Sequence, residues 1–181
     1  LACDTAFVSL KEIDTGRRAA LYRELAEKDL LTGCYNRNAY HEDTSRCKKL
    51  TNLLLFVFDL NNLKYYNDKF GHDCGDQYIT DAAHILRKIF SRHGKLYRIG
   101  GDEFAVLVYD PEVPDEFWPE RLKEELRNIG RGCRHRFSLS LGCSHLRNKD
   151  GSLKSMGEWK YEADRKLYEN KKKGDLKNGV Y

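Results

Sequence analysis

Arg98-Ile99-Gly100-Gly101-Asp102-Glu103-Phe104 is the stretch on which the reading of this chain depends. Apolar runs flank it, Leu96–Ile99 before and Phe104–Tyr109 after. Two adjacent glycines between strand-like runs predict a tight β-hairpin, because glycine accepts the positive φ that such a turn requires. Directly after the glycines stand two carboxylates, Asp102 and Glu103, followed by a run apolar enough for a buried central strand. Two acids in that place repel each other and lose solvation unless a positive charge lies between them. A divalent metal is the simplest occupant.

Alone, Gly-Gly-Asp-Glu is a common surface turn. A second acid in a matching place changes the odds. Leu53–Phe58 is an apolar run of strand length that ends in Asp59-Leu60-Asn61-Asn62. Paired beside the hairpin, it brings Asp59 opposite Asp102 and Glu103. That is an oxygen-rich site at strand ends, suited to Mg²⁺ and bound phosphates.

Working outward, apolar spacing predicts helices over Leu10–Lys28, Asn38–Lys49, Leu63–Phe70, Gln77–Arg92, Phe117–Ile129 and Ser155–Lys172. Asp29–Asn36 reads as a turn and Gly71–Asp76 as a glycine-bearing loop. Phe137, Leu139, Leu141 and Cys143 alternate with polar residues, the pattern of a half-exposed strand. From Leu53 the predicted order is strand-helix-helix-strand-strand-helix-strand-helix. This implies an α/β (α+β) fold, an antiparallel-rich central sheet backed by helices on one face. Residues 1–28 read as a connector helix ending an upstream region, and 29–181 as one catalytic domain. The helix over 10–28 either packs on its own domain or continues into an upstream module.

Composition sets outer limits. The chain has 181 residues, enough for one sizeable core, with 33% charged and 40% hydrophobic residues, an ordinary globular balance. A net charge of +4 does not by itself call for nucleic acid. Arg127, Arg131, Arg134 and Arg136 form a basic cluster without interleaved aromatics, so no nucleic-acid partner is expected. The six cysteines are scattered without a Cys-x-x-Cys pair, which fits reduced thiols in a cytoplasm. The longest apolar run is far too short to span a bilayer, so no membrane contact is expected of this piece. It begins with Leu and reads as part of a longer protein, whose remainder includes a sensor or a membrane anchor.

Four segments in order carry a family resemblance. Arg98–Phe104 resembles the signature of the GGDEF domain, the diguanylate cyclases of bacterial signalling. Asp29-Leu-Leu-Thr-Gly-Cys-Tyr-Asn-Arg37 is similar to the family's opening motif. Phe58–Lys64, with Asn67-Asp68 and Gly71–Asp76, is similar to its nucleotide-binding segment, and Ala163-Asp164, Tyr168 and Lys171–Gly174 to its closing helix. The resemblance implies a fold like the palm of nucleotide cyclases and polymerases. It also implies condensation of two GTP into cyclic di-GMP with Mg²⁺ (or Mn²⁺), by a two-fold dimer governed by an upstream sensor. The alternative is a catalytically weak GGDEF module that binds GTP and regulates a partner.

Residue by residue, the resemblance makes Asp59 and Asp102 metal ligands, with the Leu60 carbonyl as a backbone oxygen. Glu103 matches the residue that holds a second metal and helps deprotonate the hydroxyl. Asn67 and Asp76 match the pair that reads guanine, and Leu31 an apolar wall of that pocket; Asp76 also reads as an N-cap for the helix at 77–92. Lys64 and Lys171 match the lysines on the triphosphate, and the Asn62 and Leu63 amides a phosphate cradle. Arg98 is grouped with the phosphate binders, pairing along the strand being the other reading.

Three departures from the family stand out. Asn61 replaces a frequent second aspartate, and Asp175 replaces an arginine, which implies lower GTP affinity. Where many members carry an inhibitory Arg-x-x-Asp, this chain has Ser91 and Gly94, so no tight product site is expected there; Arg92 and Lys95 remain as weak surface cations.

Overall fold

All of Leu53–Leu60 except Asp59 is buried, which a strand covered on both faces requires. The structure, a computed structural model, describes residues 17, 18, 22, 26–47, 52–109, 117–130 and 138–172, without the side chains of 127–130. In chain order the elements are α1 (Arg37–Arg46), β1 (Leu53–Leu60), α2 (Leu63–Phe70), α3 (His72–Phe90), β2 (Gly94–Arg98), β3 (Glu103–Tyr109), α4 (Phe117–Gly130), β4 (Leu139–His145) and α5 (Met156–Lys172). The four strands form one sheet in the order β2-β3-β1-β4, every pair antiparallel.

Helices cover both faces of this sheet, not one. Leu54, Phe56, Phe58 and Leu60 point into a cluster with Ile79, Leu86 and Phe90 of α3 and Trp118 and Leu122 of α4. Leu53, Leu55 and Val57 point the other way, against Ala39 and Tyr40 of α1 and Trp159 and Ala163 of α5. The unbroken apolar run of β1 already carried that signal, since a one-sided strand alternates. For the same reason β4 is not half-exposed. Ser140, Gly142 and Ser144 are buried under α5, where the Trp159 indole donates to the Ser144 carbonyl at 2.7 Å.

Two local corrections position the site. Gly71–Asp76 is not a loop, because α3 begins at His72. Gly71, at φ 88°, is the whole joint between α2 and α3. Asp76 therefore lies inside the helix, and its reading as an N-cap is excluded. Two helix starts carry side-chain caps. Asn36 caps α1 by accepting from the Ala39 amide, and Ser155 and Glu158 cap α5 reciprocally.

The connector helix over 10–28 lies mostly outside the described residues, as do residues 131–137 with Arg131, Arg134, Arg136 and Phe137, the Arg127 side chain, Gly174 and Asp175. The four described cysteines are free thiols. Among the described residues no helix is long and apolar enough to cross a membrane.

Candidate active site

Antiparallel register brings the three acids to one end of the sheet. Asp59 pairs with Glu103 across β1 and β3, and the Leu60 amide donates to the Asp102 carbonyl at 2.9 Å. The turn closes on itself through the Ile99 and Gly100 amides, which donate to the Glu103 carbonyl at 2.9 and 3.3 Å. Its glycines are not there for positive φ, which neither Gly100 nor Gly101 adopts. A Cβ on Gly100 would lie 2.5 Å from Oε2 of Glu103, so this glycine makes room for the carboxylate folded over it. Gly101 faces open space.

Asp59 is not alone at its strand end. The Lys171 ammonium, from the last turn of α5, meets its Oδ1 at 2.7 Å. Asp59 keeps only 13% of its side chain exposed, and Lys171 keeps 46%. The amine thus sits where a cation is wanted. Among the described residues no three His, Cys, Asp or Glu side chains gather as a ready-made metal cage. Mg²⁺ keeps several waters and takes one or two carboxylates together with substrate phosphates. Asp59, Asp102 and the Leu60 carbonyl fit that partial set, all hard oxygen donors.

Beside the acids, the chain leaves β1 through a loop fixed by polar contacts that the sequence did not reveal. Asn61 donates from Nδ2 to Ser138 Oγ (2.9 Å) and accepts at Oδ1 from Ser140 Oγ (3.0 Å), while its carbonyl accepts from Tyr78 Oη (3.1 Å). An amide serves both serines as donor and acceptor at once, which gives Asn61 a role of its own at the position of the missing aspartate. Burial raises the Tyr78 hydroxyl to about 12 against the lowering bond from the Ser138 amide, so it stays protonated and able to donate. Asn62 follows at φ 65°, the one described non-glycine residue with positive φ, and starts α2 with Leu63 and Lys64 in its first turn. Lys64 is exposed there.

Of the residues assigned to guanine, Asn67 and Asp76 fall at the α2–α3 joint. Asn67 lies against Gly75, where a Cβ would come within 1.8 Å of its Oδ1. Asp76 is the next residue on α3 and is exposed. Leu31 is 37% exposed, not a core residue, in a turn tied to α3 by Arg87, which donates to the Thr32 carbonyl at 2.8 Å. Arg98 does not hang free in the site. It pairs with both oxygens of Asp29 at 3.2 Å and donates to the Gly101 carbonyl. Sequence reading did not single out Asp29, although the spacing Asp29-x-x-Thr32 is a side-chain turn signal. Lys95, read as a surface cation, is held by Asp43 at 3.0 Å, whereas Arg92 lines an open groove with Ser91, His93 and Arg121.

The comparisons with known proteins agree on one family. The sequence profile described as "Diguanylate cyclase, GGDEF domain" matches residues 26–177. The diguanylate cyclase DgcS of Shewanella oneidensis is 33% identical over 165 residues, covering 86% of this chain and 54% of that protein. A diguanylate cyclase of Vibrio cholerae is 30% identical over 176 residues, covering 91% of this chain and 52% of that protein. The chain spans about half the length of these curated relatives. Among solved structures, the coiled coil and GGDEF domain of DgcB from Caulobacter crescentus, in complex with c-di-GMP, superposes with a TM-score of 0.81 at 24% identity. That match covers 97% of this chain and 96% of the other, and it speaks for the fold alone. A sensory box/GGDEF family protein from the same organism gives 0.65 at 28% identity, covering 82% of this chain and 99% of its own.

Proposed function

The chain belongs to the GGDEF family of diguanylate cyclase domains, and from that premise we propose that it condenses two GTP into cyclic di-GMP. The observation that carries the reading is the placement of Asp59 opposite Glu103, with the Asp102 carbonyl bonded to the Leu60 amide. It puts three acids where two strands end.

In each half-reaction a ribose 3′-hydroxyl attacks the α-phosphorus of the other GTP. The new P–O bond replaces the α–β phosphoanhydride, pyrophosphate departs, and the hydroxyl proton is given up. Such a transfer is governed by positioning and charge neutralisation. Asp59, Asp102 and the Leu60 carbonyl would hold Mg²⁺ (or Mn²⁺), which would supply neutralisation of phosphate charge when bound. Glu103 accepts the proton. Asn67 and Asp76 bind guanine, the carboxylate accepting from N1 and N2 hydrogens that adenine lacks. Leu31 covers the base. The amides of Asn62 and Leu63 with Lys64 receive the triphosphate at the start of α2. Lys171, paired with Asp59 at 2.7 Å, would serve the phosphates once Asp59 is given over to the ion. One domain holds one GTP, so two copies face each other about a two-fold axis. An upstream sensor region governs that encounter in the cytoplasm.

The test is direct. The chain is incubated with GTP and Mg²⁺ and the products separated by chromatography. Cyclic di-GMP above the blank is expected. Asp59→Asn or Asp102→Asn should cut turnover on the order of a thousandfold with the fold intact, as removal of a metal-holding carboxylate does. GTP bound without product would instead identify a regulatory GTP-binding module.

A further inference from the structure

We infer that Asp29 and Arg98 are positioning residues that tie the chain entering the domain to the acidic turn. The inference rests on the reading of that turn as catalytic. Its basis is one guanidinium used on two sides. Nη1 of Arg98 lies 3.2 Å from each Asp29 oxygen, while Nη2 and Nε reach the Gly101 carbonyl at 2.9 and 3.3 Å. Both side chains are mostly buried, with 15% of Arg98 and 23% of Asp29 exposed. A planar fork can hold a carboxylate and a carbonyl in fixed relation; a lysine ammonium cannot.

Each end of the link is anchored differently. Asp29 is held hard. Its Oδ1 accepts from the Thr32 amide (2.9 Å) and hydroxyl (2.6 Å), and its backbone closes the turn through Cys34 and Gly33. Burial works to raise its carboxyl, but the bonds from Thr32 and Arg98 outweigh this and hold it below the usual range. Asp29 therefore stays an anion for Arg98. Immediately before it, Asn36 clasps the incoming backbone, its amide donating to the Glu27 carbonyl (2.7 Å) and its side chain to the Ala26 carbonyl (2.6 Å). Lys28 lies 3.5 Å over the Tyr35 ring, and Tyr35 bonds through its backbone to Leu96 and Arg98 of β2.

Gly101 is held differently, because nothing lies within 4 Å of where its Cβ would be. Beside the turn's backbone bonds, which run to the Glu103 and Asp102 carbonyls, the Arg98 fork holds the Gly101 carbonyl itself, next to Asp102 and Glu103. A displacement of residues 26–28 moves Asp29, re-aims Arg98 and shifts the two acids. This assigns Arg98 to aiming the turn, not to holding phosphate.

The experiment compares the wild-type chain with Asp29→Asn, Arg98→Lys and the double variant. Amide hydrogen exchange without ligand is read at Gly101–Glu103, and turnover and GTP affinity are measured separately. Exchange at Gly101–Glu103 should quicken in both single variants, and kcat should fall by about tenfold to a hundredfold, as a misplacement of about 1 Å does. GTP affinity should change by less than about threefold, and the double variant should be no worse than Asp29→Asn, since the residues act as one unit. If Asp29→Asn does not fold, Asp29→Glu keeps the charge on a longer arm and the same readouts apply. Unchanged exchange at 101–103 in the single variants would overturn the inference, as would a loss of GTP affinity at unchanged kcat. Because exchange needs no turnover, a wild-type chain that makes no product would count against the proposed function and leave the link to the exchange data.

Discussion

Lys171 and Asp59 stand 112 positions apart in the chain and 2.7 Å apart in space. On the proposed function one serves phosphate and the other metal, so each would have to leave the other to take its own ligand. Lys171→Met should therefore tighten Mn²⁺ binding without nucleotide, by about two- to fivefold, the worth of a partly exposed ion pair. GTP binding should weaken in the same variant. Calorimetric titration of each ligand separately checks both signs, and equal Mn²⁺ affinity in the two proteins would refute the competition. Gly75 makes a second argument at this scale. Alanine is the better helix former by about 1 kcal/mol, yet its Cβ would meet Asn67 Oδ1 at 1.8 Å. The amide end of Asn67 can swing away cheaply, so Gly75→Ala should keep or raise the melting temperature. Its GTP affinity should fall by about tenfold, the loss of one oriented hydrogen bond.

At the scale of elements, β4 and α5 come together backbone to backbone. A Cβ on Gly142 would lie 2.1 Å from the Ala163 carbonyl oxygen and 2.5 Å from the Leu167 nitrogen. No side chain can move aside there, so Gly142→Ala must push helix from sheet, at a cost of about 1–3 kcal/mol or more, measurable by urea denaturation. The same pair of elements carries a pH signature. Burial works to raise the Glu162 carboxyl, but hydrogen bonds from Lys154, Lys166 and Ser144 and the Lys166 charge hold it down to about 2. A depressed folded pKa gives stability that is present above the unfolded value of about 4.3 and lost as pH falls from there. The loss is complete only near pH 2. Glu162→Gln should flatten the acid limb of stability across that interval. At neutral pH the cost should be about 1 kcal/mol, because the carboxylate keeps 27% of its surface in water.

For the whole molecule, one chain presents one set of acids at one end of one sheet, while the proposed product needs two attacking hydroxyls. Turnover per chain should rise with protein concentration through the range in which dimers form, and level off above it. Initial rates measured beside sedimentation at the same concentrations check this. A rate per chain that stays flat down to monomeric protein would remove the two-copy requirement.

Much of this was legible without coordinates. The run Leu53–Phe58 and the acids Asp59, Asp102 and Glu103 announced strands with charged ends, because a strand's burial shows in a few consecutive residues. The order of elements from β1 to α5 follows the predicted one, since helical and strand periodicities are local properties. The sequence also placed Asn67 and Asp76 together by motif, but it misread Gly71–Asp76 as a loop. Glycine at 75 looked like a break and is a point of close approach between two helices. Only the tertiary structure decided that helices cover both faces, that Lys171 sits on Asp59, that Asn61 bridges Ser138 and Ser140, and that Arg98 joins Asp29 to Gly101. Each of these depends on which residues packing brings within a few ångströms across tens of positions. Periodicity and composition record how a segment meets its own neighbours in the chain, and they carry no such distance.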